Sequence, residues 1–442
     1  MVAAILMVAG YAPQSSAAAT PFATLYSFCA KGAKSCTDGA QPQDGVIRDA
    51  AGKLYGTTSA GGAHAGGNVF VLTPNAAKTK WTETILYNFC SQGGKNCTDG
   101  ASPFAGLVMD ASAKLYGTTY LGGANKQGTV FELTPNAAKT KWTETVLYSF
   151  CARGAGACTD GSGPIASLIR DASGRLYGTT LAGGAHNSGT VFQLAPNAAK
   201  TKWTQSVLYS FCSQGGTGCT DGAHSYAAVA GASGKLYGTT AAGGAHKAGV
   251  VFQLTPNAAK TKWTYAVLHS FCTQGGAACT DGAISYAGLI TDASGKFYGT
   301  TYQGGAHNSG AVFALTPNAA KTKWTETILY NFCSRGCVDG ALPAAGLVRD
   351  KSGDLFGVTE LGGTHYSAST EGGVVFELIP NAAKTKWVQT VLYNFCSTGG
   401  NSCTDGTEAA FDLVMDAAGD LYGMTVNGGA HNNSGTVFEL KR

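Results

Sequence analysis

The residues best suited to chemistry in this chain are its cysteines, histidines and acidic groups, and all of them recur. All 14 cysteines fall into seven close pairs: Cys29 with Cys36, Cys90 with Cys97, Cys151 with Cys158, Cys212 with Cys219, Cys272 with Cys279, Cys333 with Cys337, and Cys396 with Cys403. Six pairs enclose six residues, and the pair Cys333 with Cys337 encloses three. Metal-binding pairs favour C-x2-C spacing, which is absent here. Seven equivalent redox couples would be redundant. An even count in regular pairs predicts disulfides within each unit. Each would close a small loop, worth roughly 2 to 3 kcal/mol on the chain-entropy account.

Six of the eight histidines sit in one glycine-rich context: His64, His186, His246, His307, His365 and His431, with Asn125 in the seventh place. His224 and His269 lie elsewhere. Just after each second cysteine comes Thr-Asp-Gly, or Val338 before Asp339, giving Asp38, Asp99, Asp160, Asp221, Asp281, Asp339 and Asp405. Imidazole beside carboxylate can bind a ligand or exchange protons. An Asp-Gly pair is also ordinary turn chemistry, with the carboxylate accepting from nearby backbone amides. Both readings stand at this stage. No metal is expected among these residues, because equivalent positions a repeat apart stand too far from one another to share an ion.

The spacing of other landmarks says what positions these groups. Trp81, Trp142, Trp203, Trp263, Trp324 and Trp387 follow one another at 61, 61, 60, 61 and 63 residues. Each closes the string Pro-Asn-Ala-Ala-Lys-Thr-Lys-Trp. Leu-Tyr-Gly or a near variant begins at Leu54, Leu115, Leu176, Leu236, Phe297, Leu355 and Leu421. Seven units of about 60 residues signal a repeat architecture. Each unit reads as four short strands: an apolar run near 105–110, a Leu-Tyr-Gly-Thr-Thr run, a Thr-Val-Phe run and a run opened by tryptophan. In the last, period-2 alternation would put Trp142, Val146, Tyr148 and Phe150 on one face. Four antiparallel strands per repeat is the anatomy of a propeller blade. The chain begins with a fourth strand, near 23–28, and ends with a third, near 435–440. The expected fold is therefore all-β, a seven-bladed β-propeller over residues 21–442, with the N-terminal strand completing the last blade.

That topology sorts the loops onto two faces. The cysteine links and the histidine loops share one, the top. Candidate ligand contacts there are the six loop histidines, Asp339, and Glu371 in the long loop 364–373 of unit six. The other face carries paired lysines such as Lys78 and Lys80. It also carries the turn aspartates Asp49, Asp110, Asp171, Asp292, Asp350 and Asp416, with Ala230 in the remaining place. The loop string Asn-Ala-Ala-Lys-Thr recurs with no structural demand visible in the sequence, which suggests recent duplication.

Composition excludes several classes. Charged residues make up 13% and the net charge is +4, so neither a disordered chain nor a nucleic-acid binder is indicated. Residues 1–20 hold an apolar run and a small-residue stretch like a secretory signal. They lack a basic lead, as a start placed a few residues late would explain. No other apolar stretch is long enough to span a membrane.

The unit pattern, with its paired Leu-Tyr-Gly-Thr-Thr (Leu115–Thr119) and Gly-Thr-Val-Phe (128–131) blocks, resembles the GloVer repeat of the choice-of-anchor proteins that bacteria export. The likeness runs over about 25–440. It implies an exported tandem-repeat protein and supplies no catalytic residues. Many such proteins carry a C-terminal anchor. This chain stops at Lys441-Arg442, so a freely secreted, extracellular form is expected. No G-x-S-x-G, H-E-x-x-H or P-loop is present, and no cofactor is expected. The expected function is a non-enzymatic binding or interaction scaffold, monomeric, for an extracellular glycan or protein. The alternative is a carbohydrate-active hydrolase or lyase using the top face.

Overall fold

The computed structural model describes residues 21–231, 234–365 and 372–442. Residues 1–20, where a secretory signal is expected, and the candidate contact Glu371 lie outside them. Among the described residues, 28 strands form seven four-stranded antiparallel sheets. In the first complete blade these are β2 (Ile47–Arg48), β3 (Leu54–Thr58), β4 (Asn68–Pro74) and β5 (Trp81–Asn88), hydrogen-bonded in that order. Blades two to six repeat the unit as β6 to β25. The seventh combines β26 (Val414–Met415), β27 (Leu421–Thr425) and β28 (Thr436–Leu440) with β1 (Phe22–Ser27). Strand β1 pairs with β28 from Phe22↔Leu440 to Ser27↔Thr436, so the ring is closed by the N-terminal strand, as the repeat phase requires.

Each element follows from its residues. In β3, Gly56 admits the Phe70 ring, which a Cβ would meet at 2.7 Å. Thr57 Oγ1 donates to Ala105 O of the next blade at 3.1 Å, and Tyr55 OH to Asp49 Oδ2 at 3.1 Å. The Leu-Tyr-Gly-Thr-Thr block is thus used almost completely in holding the fold.

Phenylalanines close the seams. Phe28 with Phe70, Phe89 with Phe131, Phe150 with Phe192, Phe211 with Phe252, Phe271 with Phe313, Phe332 with Phe376, and Phe395 with Phe438 meet edge to face at 5.0 to 5.4 Å. All are fully buried, each contributing about 1.5 to 3 kcal/mol.

Two expectations change. The first strand is only two residues long in most blades, for instance Val108–Met109, because the residues before it face the axis and have no strand to pair with. The fourth strand carries a bulge: Val130 pairs with Tyr148 and Phe131 with Val146. Neighbouring partners lie on opposite faces, so Leu147 is the extra residue. Tyr148 therefore leaves the face of Trp142 and Val146. Trp142 packs with Phe131 toward one neighbouring blade, whereas Tyr148 and Phe150 pack with Val130 toward the other.

Candidate functional site

The links between blades are pinned twice. The first pin is covalent and follows the expected pairing within each unit. Cys29 is bonded to Cys36, Cys90 to Cys97, Cys151 to Cys158, Cys212 to Cys219, Cys272 to Cys279, Cys333 to Cys337, and Cys396 to Cys403. No cysteine is free. Each of the 14 cysteines is thus one half of a disulfide within its own unit. Sequence spacing does not show how the second cysteine of each pair turns back. Cys36, Cys97, Cys219, Cys279 and Cys403 each end a short 3-10 turn in the left-handed region, at φ 42 to 46°. Cys158 and Cys337 are left-handed too, at φ 48° and 64°.

The second pin is the buried carboxylate of the Asp-Gly pair inside each link. Asp99 Oδ2 accepts from Tyr87 OH at 2.8 Å, Ser91 N at 2.9 Å and Ser91 Oγ at 2.8 Å. Asp339, 1% exposed, accepts from Tyr330 OH at 2.6 Å, Ser334 Oγ at 2.7 Å and Ser334 N at 3.1 Å. Burial pushes Asp339 up, but the bonds from Tyr330 and Ser334 outweigh it and hold the carboxyl below its ordinary range. Tyr330 is pushed up to about 12 by burial and by Asp339.

The loop histidines His64, His186, His246, His307, His365 and His431 are all exposed and stand one per blade. Asn125, in their seventh place, donates to Phe150 O at 3.0 Å.

On the opposite face the turn aspartates bind their own turns; Asp49 Oδ1 accepts from Ala51 N at 3.0 Å and Lys53 N at 2.9 Å. In blade four the vacant place belongs to Gly231, not Ala230. Gly231 N donates to Lys235 O as Asp171 N does to Arg175 O, and Ala230 pairs with Leu236 inside the sheet. A one-residue deletion upstream hid the shift. The lysine loop also has a structural demand. Asn75 Oδ1 accepts from Thr79 N at 2.9 Å and Lys80 N at 3.2 Å, and Asn75 Nδ2 donates to Thr79 Oγ1 at 3.1 Å. Its lysines, Lys78 and Lys80, are exposed.

The groups that converge are elsewhere. A cavity of about 680 Å³ is lined by residues from all seven blades, which places it on the axis. Most of the lining comes from the segment around the start of each first strand, and Tyr120 and Leu181 are added from the loop after the second strand. Phe104, Tyr120, Tyr226, Tyr286 and Phe411 supply rings, and Asp44, Asp412 and Ser167 supply polar atoms. Phe104 and Tyr120 meet at 5.4 Å, Tyr226 and Tyr286 at 4.6 Å.

Asp44 is held from three blades. Its Oδ2 accepts from Ser167 Oγ at 2.6 Å and from Gly106 N at 2.6 Å, and its Oδ1 from Gly45 N at 2.6 Å. Asp412 Oδ1 accepts from Gly346 N at 2.6 Å. Both carboxyls lie deep inside the ring, yet they open onto the cavity, Asp412 more than Asp44. Enclosure by protein pushes Asp44 up to about 6. The charge of Asp412 adds to this, while the bonds from Ser167, Gly45 and Gly106 oppose it. Enclosure raises Asp412 as well, against its bond from Gly346.

Comparison with known proteins places the chain. Models of the Gloeobacter/Verrucomicrobia repeat match at residues 10–220, 94–283, 157–368 and 277–442. The chain belongs to this repeat family. No curated protein matches it. Among solved structures, a Lactobacillus plantarum protein is similar over 84% of this chain and 88% of its own, at 13% identity and a TM-score of 0.50. That likeness concerns the fold alone. The extracellular domain of a protein assigned as a hybrid two-component system from B. thetaiotaomicron is similar over 95% of this chain, at 11% identity and a TM-score of 0.49. This chain spans 39% of that one. No helix among the described residues is long and apolar enough to cross a membrane.

Within this Gloeobacter/Verrucomicrobia chain, the axial column is where the repeats part company. Three of the seven units carry x-Ala-Gly there: Phe104-Ala-Gly, Tyr286-Ala-Gly and Ala344-Ala-Gly. The first has Gln43-Asp44-Gly, the third Ile165-Ala-Ser167 and the seventh Ala410-Phe411-Asp412. The most visible break in the repeat is the long loop 364–373 of unit six, and the axial column is a second one. Aligning the seven columns would have found Asp44 and Asp412, because they replace the smallest residues of the repeat.

Proposed function

We propose that this chain is a secreted, non-enzymatic binding protein that takes the end of a glycan into its axial cavity. The carrying observation is that aromatic rings and a carboxyl pair, Asp44 and Asp412 replacing the Ala and Gly of the x-Ala-Gly units, gather in one cavity of about 680 Å³. Tyr226, Tyr286, Phe104 and Phe411 offer apolar faces for the C–H side of a sugar ring. Asp44 and Asp412 offer acceptors for its hydroxyl groups, and charge-assisted bonds of that kind are the strong ones. Secretion is supported by seven disulfides, which persist in oxidising compartments. The exposed histidine loops can add weak repeated contacts around the cavity mouth, a multivalent arrangement.

The test is a glycan array probed with the oxidised protein, the double variant D44N/D412N and H365A. Binding by the parent and H365A, lost in D44N/D412N, supports the reading. Binding that survives D44N/D412N moves the site to the loops. No binding to any glycan makes a protein ligand the occupant.

One observation favours a second reading, a glycoside hydrolase. A carboxyl at about 6 beside an acidic neighbour is the arrangement in which one group keeps a proton and the other does not. Release of reducing ends from a bound glycan, abolished in D44N, would select it over simple binding.

A further inference from the structure

The seams between blades repeat one arrangement, and one seam departs from it. In six links the buried aspartate faces a tyrosine of the preceding strand: Tyr26, Tyr87, Tyr148, Tyr209, Tyr330 or Tyr393 donates to it at 2.5 to 2.8 Å. In the link after blade four the tyrosine is replaced by His269, on β17 (Trp263–Ser270). Asp281 Oδ2 still accepts from Thr273 N at 2.8 Å and Thr273 Oγ1 at 2.6 Å. Its Oδ1 accepts from Gln274 N at 3.2 Å, but the bond that tyrosine gives the other links is missing, since His269 Nε2 stands 3.9 Å from Oδ2.

Across the seam, β21 (Trp324–Asn331) of blade five brings Glu326 to the same point. Glu326 Oε2 lies 3.3 Å from His269 Nε2, and the Glu326 side chain is only 4% exposed. Neither His269 Nε2 nor Glu326 Oε1 has an aligned hydrogen-bond partner. The three ligand atoms lie within 4.8 Å of one another. Neutral imidazole with two carboxylates suits zinc and its neighbours. Metal bonds of about 2.0 to 2.1 Å in a tetrahedron put ligand atoms about 3.3 Å apart, close to the spacing of His269 and Glu326. An ion there would also supply the positive partner that Asp281 lacks.

We infer that His269, Asp281 and Glu326 form a divalent transition-metal site, of zinc type, that clamps blade four to blade five. Two ligands come from blade four and its link, and one from blade five, so the ion binds the docked seam and not the separated blades. Metal that binds only the folded state stabilises it by mass action. The inference is independent of the axial cavity.

The experiment titrates Zn2+ and Co2+ into the oxidised, tag-free protein after chelation, following heat of binding, the cobalt absorption spectrum and Tm. The variants are H269Y, which installs the residue of the six other seams, and E326Q, which installs the residue found at the equivalent Gln205 and Gln389. One ion per chain is expected, with a tetrahedral cobalt spectrum and a higher Tm, all lost in both variants. The six exposed histidines remain in each variant, so weak binding to them is subtracted. No ion bound by the parent protein, or equal binding by parent and variants, overturns the site and leaves only a His269–Glu326 ion pair.

Discussion

The axial column and the lysine loops were copied together in the same repeats, and they have fared differently. The lysine loop reads Pro-Asn-Ala-Ala-Lys-Thr-Lys six times over. The axial column reads differently in nearly every unit. In the loop, Asn75 and Thr79 have a bonding role and their equivalents repeat it, as Asn136 and Thr140 do at 2.8 and 3.1 Å. Around the axis the bonds from the neighbouring blade go to backbone, as Thr57 Oγ1 donates to Ala105 O, so the side chain there is free to differ between units and, on the proposed function, to serve a ligand. In a ring of near-copies, recurrence marks what every blade needs. On the proposed function, departure at the axis marks what one ligand needs.

The largest effect should come from breaking a repeated group. Asp99→Ala removes the acceptor for Tyr87 and Ser91 inside a link. Buried donors left unmatched cost about 1 to 3 kcal/mol, more where the lost partner is charged. A loss of about 2 to 4 kcal/mol in denaturant unfolding is expected, with glycan binding at saturating protein unchanged. An effect below about 0.5 kcal/mol would mean that the links do not hold the ring.

Next comes the axial pair. D44N should weaken glycan binding about tenfold or more while leaving the fold intact. The parent protein should bind more tightly as pH rises through about 6, because the acceptor is the ionised carboxyl, and D44N should lose that dependence. The stability effect has the opposite sign. Asp44 moves from an ordinary 3.8 to about 6 on folding, so between those values the folded state holds a proton that the unfolded chain has released. Stability therefore falls as pH climbs through this window. D44N should be the more stable protein at pH 7.5, and this advantage should vanish below about pH 4.

A smaller effect is expected at the seam between blades one and two. Burial, with the Asp99 charge second, pushes Glu144 up to about 8. Folding thus disfavours its ionised form, at a stability cost that grows between its ordinary 4.5 and about 8. E144Q installs the glutamine present at Gln205 and Gln389, where it donates to a link carbonyl at 3.1 Å in each case. Thermal melts at pH 8 should show Tm raised by about 1 to 2 °C, with no gain at pH 4.

The smallest effect belongs to the lysines. Replacing Lys78 and Lys80 by alanine should change stability by less than about 0.5 kcal/mol and leave glycan binding intact. Lost binding would move the site to that face and reverse the comparison.

The architecture was legible in the sequence because repetition makes it so. Seven Leu-Tyr-Gly blocks, seven cysteine pairs and the phase of the two chain ends together specify ring size and closure. The bulge at Leu147 was not legible, since alternation alone cannot reveal an inserted residue that flips Tyr148. Gly231 escaped for a related reason: a deletion shifts register without changing residue types. The axial site was missed because Asp44 and Asp412 are distant in sequence and share no motif. Only ring closure, through β1 and β28, makes the first and last units neighbours. His269 lies outside the repeated histidine loops, and its partner Glu326 comes from the next blade, so no spacing links them.

The most direct test of the axial site is a calorimetric titration of one array-positive glycan into three proteins: the parent, D44N/D412N, and a variant with His64, His186, His246, His307, His365 and His431 all changed to alanine. The account predicts affinity in the histidine variant within about threefold of the parent, and no measurable binding in D44N/D412N. Binding kept by D44N/D412N and lost by the histidine variant would place the ligand on the repeated loops and contradict it.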